Sequence, residues 1–183
     1  ERGWLVDLGG LQFGLAAGVD ADAIIPDDAR TLFRSQVNAI IENCEQPRRF
    51  KDALHLSALA GFVQPRGLWE ALAGPNLQDY FKGCRLWQRR EATVNFDHGL
   101  LYQVVLEQAG ERKDCTYLHK RLSRAYRKYG EASGRDMNFR IGRHACLAGS
   151  WATAAPCLLL ASESAWRRGR TNELAEASRL AVR

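Results

Sequence analysis

The sequence predicts a mainly α-helical protein that carries short β-hairpins, and two observations support this prediction. Most of the 183 residues fall into segments whose apolar side chains recur every three or four positions, the spacing of one helix face. Residues 93–96 (TVNF) have instead the β-branched and aromatic composition of a strand, and they run directly into a helix that reaches Gln108. Residues 85–88 form a partner strand across a polar turn. Helices followed by such a two-stranded wing predict a winged-helix module; the alternative is an isolated β-ribbon on a helical protein.

Composition bounds the class of protein. With 46% hydrophobic residues, the chain can bury a core in one domain or two small ones. A mean hydropathy of -0.34 and the lack of a long apolar run predict a soluble protein with no membrane contact. Five cysteines without a CxxC pair favour buried, reduced thiols in a cytoplasmic protein. The net charge of +5 permits contact with nucleic acid, although the basic residues look scattered along the chain.

The first half is predicted to contain two parts. Residues 1–24 form a hairpin (4–6 and 11–15) and a connector, and residues 25–112 form the winged-helix domain. Its first helix starts after Pro26, with Asp27 or Asp28 as N-cap, and runs to Cys44. Further helices are predicted at 48–60, 68–73 and 77–82, the last being the candidate recognition helix. The side chains expected to be buried are Leu32, Phe33, Val37, Ile40, Ile41, Phe50, Leu54, Leu56, Leu59, Trp69 and Leu72.

Residues 113–183 are predicted to be purely helical. Helices are expected at 114–129, 136–148, 151–168 and 171–182, with a polar loop at 130–134. The first of these should bury Tyr117, Leu118, Leu122, Ala125 and Tyr126. The Gly149 and Gly169 links are tight, so the helices should be antiparallel neighbours in tetratricopeptide-like hairpins; the alternative is an ordinary bundle. Because such repeats usually need about three copies, the natural chain is expected to continue past residue 183.

Several of these segments match a known pattern in order and spacing. They are 4–15, IPDDAR at 25–30, ALAG at 58–61, FDHGLL at 96–101, LHKRL at 118–122 and GSWATAAP at 149–156. Together they resemble the region after the ATPase core in STAND signalling ATPases, particularly bacterial AAA-like regulators. In this resemblance, the hairpin at 4–15 looks like the lid-edge hairpin, so residues 1–24 are the lid-edge hairpin and connector. The resemblance implies that a longer parent protein holds ATP or ADP, that its upstream ATPase core packs on this chain, and that the helical repeats contact a protein partner.

Two departures from that family bear on chemistry. Asp97 stands where the family usually has a basic residue, and no GxxxxGK[ST] phosphate loop occurs in the chain. The chain is therefore predicted to be non-catalytic, with no cofactor, metal or catalytic residue of its own. Ser57, Ser123 and Ser164 lack a nucleophile turn, and Glu107, Glu111 and Asp114 are interpreted as solvated helix ends. The histidines at 55, 119 and 144 are interpreted as structural residues far apart from one another.

His98 is the candidate site residue. In the family that the chain resembles, a histidine at this strand-to-helix junction reaches the phosphates of ADP on the neighbouring core, so His98 is a possible ADP sensor. The alternative is a residue that only caps the helix or packs in the wing. Asp97 would either repel a phosphate or orient His98 by hydrogen bonding, and the sequence leaves both open.

Two functions from different classes follow. The first is a regulatory, protein-interaction segment that couples the nucleotide state of the parent to a sensor or effector region. The alternative is a winged-helix DNA-binding module of a transcription regulator. The candidate recognition helix has one Lys and one Asp, and the wing offers Arg85, Arg89 and Arg90. DNA binding is therefore expected to be weak and lost at moderate salt.

Overall fold

The computed structural model describes residues 5–7, 13–15, 27–74 and 86–181, and these residues are mainly helical. Within them lie eight helices: α1 (Asp27–Glu42), α2 (Pro47–Ala60), α3 (Arg66–Ala73), α4 (Gly99–Gly110), α5 (Cys115–Ser133), α6 (Asn138–Leu147), α7 (Trp151–Arg167) and α8 (Thr171–Ala181). The strands are β1 (Leu5–Asp7), β2 (Phe13–Leu15), β3 (Val63–Pro65), β4 (Trp87–Arg89) and β5 (Thr93–Phe96). The predicted recognition helix at 77–82 lies outside the described residues.

The strand β5 is the centre of a three-stranded antiparallel sheet with the order β3-β5-β4. It follows the predicted residues 93–96, and its Val94 and Phe96 point into the core. The partner β4 lies one to two residues further along than predicted, at Trp87–Arg89. The strand β3 is not predicted from the sequence, because it is too short to show an alternating pattern and ends in a proline. It pairs only with β5, and as an edge strand it tolerates Pro65. A separate hairpin pairs β1 with β2.

Most of the described buried hydrophobic side chains fall into three clusters. The first lies among α1, α2, α3, the sheet and α4, and contains Val37, Phe50, Trp69, Phe96 and Leu101. The third lies among α6, α7 and α8. The second, which we call the joint cluster, contains Leu56, Ala60, Leu68, Leu72, Leu118, Leu122, Tyr126 and Ile141. It joins α2 and α3 to α5 and α6, so a continuous core crosses the sequence-predicted boundary at residue 112.

Two residues that were expected to be buried are exposed, so these two predictions are wrong. Leu32 is 58% exposed and Tyr117 is 54% exposed. Each lies one position before the true buried stripe of its helix, which contains Val37 and Ile41 in α1 and Leu118 and Leu122 in α5. A displacement of one residue rotates a side chain by about 100° around a helix, which is enough to move it from the core to water.

The predicted loop at 130–134 is also wrong, because α5 continues to Ser133. Tyr129 packs against the joint cluster, and this burial holds the last turn in helical form despite Gly130. A glycine inside a helix costs about 1 kcal/mol, which tertiary packing can exceed. The helix ends instead at Gly134, whose φ of +66° is the left-handed conformation that glycine adopts without strain.

The links before and after α7 have the same geometry. Gly149 and Gly169 have φ values of +68° and +66°. In each link the next residue donates its N–H to a carbonyl five positions back, from Ser150 to Ala145 at 2.8 Å and from Arg170 to Ala165 at 2.9 Å. These bonds close the preceding helix and reverse the chain within three residues. The tight links predicted at these glycines are therefore present.

Cysteine chemistry and membrane contact can be stated only for the described ranges. Cys44, Cys115, Cys146 and Cys157 are free thiols. No helix within the described ranges combines the length and the apolar character that a membrane span requires.

Candidate functional site at the junction of β5 and α4

His98 caps the helix that follows β5. Its backbone is extended, with φ of -138° and ψ of 135°, and its Nδ1 accepts the N–H of Leu100 at 3.1 Å. The first N–H groups of a helix have no partner within the helix, so this bond satisfies one of them. This geometry agrees with the capping interpretation, and it leaves the ADP-sensor role of His98 a prediction.

The cap also fixes the chemistry of the imidazole. Because Nδ1 accepts a hydrogen bond, the proton of the neutral ring is on Nε2, which is then a donor. The ring stacks on Phe33 of α1, with centroids 5.3 Å apart and planes 25° from parallel. His98 is nevertheless exposed. The junction therefore presents a histidine whose orientation is held on two sides and whose outer nitrogen can donate to a ligand.

Asp97 is engaged across the wing. Its Oδ1 accepts a hydrogen bond from Gln88 Nε2 at 2.6 Å, and its backbone N–H donates to Leu86 O at 2.9 Å. The contacts that orient His98 come from Leu100 and Phe33. Asp97 thus helps to close the wing, and its negative charge remains next to the imidazole.

The acidic residues near the end of α4 hold α1 in place. Arg30 Nη1 donates to Glu107 at 2.9 Å, and Arg34 donates through both Nη atoms to Glu111 at 2.9 and 3.1 Å. Glu107 and Glu111 lie at the end of α4 with side chains 38% and 59% exposed, as predicted for solvated helix ends, and each also has an arginine partner. Their arginine partners are one turn apart on α1, on either side of Phe33, so the pairs help to keep the Phe33 ring under His98.

Asp114 is also paired. Its partner Arg112, between α4 and α5, is the centre of a charge cluster that also contains Asp52 and His55. Arg112 donates to Asp114 at 2.7 Å and to Asp52 of α2 at 2.7 Å, and its Nη1 lies 3.4 Å from His55 Nδ1. Its side chain is only 17% exposed. Burial, assisted by Arg112 and Lys51, lowers the pKa of His55 to about 4, so this histidine is neutral at pH 7.

Replacing Arg112 with methionine is expected to lower the free energy of unfolding by about 1–3 kcal/mol. Methionine keeps much of the apolar packing but leaves Asp52 without its closest cation in a half-buried setting. Urea unfolding measures the change. Arg167→Met is the matched control, because its ion pair with Glu163 lies on the surface of α7 and should contribute less than about 0.5 kcal/mol. Equal effects of the two substitutions would contradict a structural role for the charge cluster around Arg112.

Two histidines predicted to lie far apart are in contact. His119 Nδ1 of α5 and His144 Nδ1 of α6 are 3.0 Å apart, and the rings stack with centroids 5.2 Å apart. His144 also stacks on Tyr126, whose hydroxyl donates to Ala60 O at 2.9 Å. One Nδ1 must donate and the other accept, so the pair holds one proton between these atoms. Local periodicity could not reveal a contact between two residues that lie 25 positions apart on different helices.

Burial and charge keep this histidine pair neutral. Burial, the neighbouring His119, Arg143 and Arg140 together lower the pKa of His144 to about 3. Burial and then Arg143 lower the pKa of His119. Across the described part of the chain, no group of three or more His, Cys, Asp or Glu side chains is placed to hold a metal ion.

The basic residues of the wing and those of α5 and α6 lie in different surroundings. In the wing, the Arg89 guanidinium lies 4.9 Å from the centre of the Trp69 ring, and Arg85 lies outside the described residues. The basic residues are scattered along the chain, as predicted, but the excess of positive over negative charge is not. Residues 115–143 carry eight Lys or Arg and two acidic residues, a formal charge of +6, whereas the whole chain carries +5. The charge is therefore concentrated in α5 and α6.

Comparison of the chain with protein-family models, with curated proteins and with solved structures finds no match. The class that can be stated is a mainly helical protein with a small three-stranded antiparallel sheet.

Proposed function

We propose that this chain is a non-catalytic regulatory and protein-interaction segment of a larger STAND-type signalling ATPase. In this proposal, residues 25–112 form a winged-helix module that packs against the upstream ATPase core. Residues 113–183 form a tetratricopeptide-like region that contacts a protein partner. His98 reports the nucleotide state of the parent, which holds ATP or ADP.

The order of elements supports the winged-helix assignment. Helix α2 is followed by an edge strand, β3, then by α3, and then by the hairpin of β4 and β5. The last strand of the hairpin pairs with both of the others, which gives the order β3-β5-β4. A helix, a short strand, a helix and a hairpin that returns to pair with the short strand is the arrangement expected of a winged-helix module. The stack of α5 to α8 with repeated glycine turns supports the tetratricopeptide-like assignment.

The capping geometry of His98 is the observation that carries the sensor role. A phosphate sensor needs a donor that is exposed and already oriented, because an ordered donor loses less entropy when it binds. His98 meets both conditions, since Leu100 and Phe33 hold its ring. A hydrogen bond to a charged phosphate contributes about 1.5–3 kcal/mol, so its loss would shift a closed-to-open equilibrium by roughly tenfold to a hundredfold.

An apolar stripe on α7 supports the proposed protein partner. Trp151, Ala155, Leu159 and Trp166 follow one face of this helix, and all four are exposed. Leu159 is 65% exposed and Trp166 is 75% exposed. Large apolar residues that share one exposed helix face are typical of protein contact surfaces.

The test separates the cap from the sensor with two substitutions. His98→Ala removes both functions, whereas His98→Ser keeps a good N-cap but cannot place a ring nitrogen at a phosphate. In this chain, Ala is expected to lower the free energy of unfolding by about 0.5–2 kcal/mol and Ser by much less. In the full-length protein, both should accelerate ADP dissociation by about tenfold or more. A Ser variant with unchanged ADP dissociation would leave His98 as a cap and overturn the sensor role.

The non-catalytic assignment has its own test. The chain is expected to show no Mg²⁺-dependent ATP hydrolysis, because it lacks the phosphate loop that cradles the β- and γ-phosphates. Phosphate release should be followed across successive purification steps. Activity that copurifies with the chain in constant ratio would contradict the proposal.

A further inference from the structure

A groove lies between α5 and the turn from α6 into α7. Its volume is about 360 Å³, within the range of small-molecule sites. Four cations line it on the α5 side: Lys120, Arg124, Arg127 and Lys128. Lys120, Arg124 and Lys128 are spaced four residues apart, so these three form a row about 12 Å long on one helix face.

These four cations are free within the described part of the chain. None of them forms an ion pair or a side-chain hydrogen bond there, whereas Arg121 and Arg143 of the same two helices pair with Asp52 and Glu176. Among the described residues that line the groove, Glu131 is the one acidic residue. A row of uncompensated cations raises the free energy of the empty groove through mutual repulsion, and an anion would relieve that repulsion.

The opposite wall offers small hydrogen-bonding groups. Ser150 and Thr153 line it, and the Ser150 side chain makes no capping bond to α7. At the start of α7, Thr153 and Ala154 already donate their N–H groups to Ser150 O at 3.0 Å, whereas the N–H groups of Trp151 and Ala152 have no partner within the helix. Ser123, in contrast, already donates to Ile141 O at 3.1 Å. Apart from Glu131, the polar groups of the groove are therefore mainly donors that suit an oxyanion.

We propose that this groove binds a soluble oligophosphate, a ligand that presents two or three phosphate groups in a row. Phosphate groups carry more charge and more acceptor oxygens than carboxylates, and the forked guanidinium of Arg124 or Arg127 matches them in geometry. The described residues of the lining include no aromatic side chain on which a base could stack, which disfavours single-stranded nucleic acid. The same residues include no large apolar side chain to anchor an acidic helix, which disfavours a peptide. The proposal does not depend on the ATPase assignment.

Titration calorimetry with inorganic tripolyphosphate tests the site. The wild-type chain is expected to bind one equivalent saturably. Arg124→Gln combined with Lys128→Gln should weaken binding by at least about tenfold, because two charge-assisted contacts are lost. The matched control is Arg48→Gln combined with Lys51→Gln on α2, which removes the same charge outside the groove and should change affinity by less than about twofold. Circular dichroism checks that both variants remain folded.

Each other outcome has a definite meaning. If both double variants lose affinity equally, the interaction is general electrostatics and the proposal is wrong. ATP is expected to bind no more tightly than tripolyphosphate, because the groove offers no surface for the base. A single-stranded oligonucleotide or a glutamate-rich peptide that displaces tripolyphosphate at lower concentration would assign the groove to that class of partner instead, and a wild-type chain that shows no saturable binding would overturn the site.

Discussion

Replacing Leu118 with alanine is expected to lower the free energy of unfolding by about 2–5 kcal/mol while unfolding remains a single transition. Leu118 is fully buried in the joint cluster, between α5 and the helices α2 and α3. A leucine-to-alanine change there loses the burial of the side chain and leaves a cavity. Because the cluster belongs to both halves of the chain, the loss should destabilise both together.

Two probes distinguish this result from independent domains. Far-ultraviolet circular dichroism follows all helices, and near-ultraviolet circular dichroism follows the packed aromatic rings around Trp69 and Trp87. Their urea transitions should coincide in the wild type and in Leu118→Ala. Leu159→Ala, on an exposed face of α7, is the control and should change stability by less than about 0.5 kcal/mol. Separate transitions for the two probes would contradict a shared core.

Acid is expected to destabilise the protein through its buried histidines, with a slope of about 1.4 kcal/mol per pH unit for each histidine involved. The folded state holds the pKa of His55 at about 4 and that of His144 at about 3. In the unfolded chain a histidine has a pKa of about 6.5. The contribution of these neutral histidines to the free energy of unfolding is therefore fully present above about pH 6.5. Below that pH the free energy of unfolding falls, because the unfolded chain binds protons that the folded chain excludes.

The slope of stability against pH measures the number of protons involved. Urea unfolding between pH 7 and about pH 5 should show an uptake of about two protons from His55 and His144, with a further contribution from His119, whose pKa is also lowered. In this range the carboxylates of Asp114 and Glu111 stay ionised, since Arg112 and Arg34 lower their pKa values. His144→Gln should reduce the slope by about one proton. An unchanged slope in that variant would show that His144 does not titrate on unfolding.

The parts of the fold that were predictable from sequence are those fixed by local pattern. The strand at 93–96 and the helices after residue 136 were identified from periodicity and from glycine stops. The third strand, β3, was missed because three residues become a strand only through pairing with Val94 and its neighbours. The extension of α5 past Gly130 was missed because it depends on Tyr129 packing into the joint cluster.

The candidate site shows the same division. The position of His98 at a strand-to-helix junction, and its role as a cap, could be inferred from the order of strand and helix along the chain. The stacking of His98 on Phe33 could not be inferred, because it depends on how α1 lies across α4. One signal for the histidine pair was available: His144 follows Ile141 by three residues, which places it on the buried face of α6.

The joint cluster has a consequence for how this chain could be rearranged in evolution. A gene fusion with its crossover at residue 112 would separate Leu56 and Leu68 from Leu118 and Leu122, and both products would expose leucine surface to water. Such surface favours aggregation. A crossover at Gly169 would divide the third cluster in the same way, because it separates Ala177 of α8 from Ala154 and Leu158 of α7. The sheet-bearing half and the helices α5 to α8 should therefore be inherited as one unit.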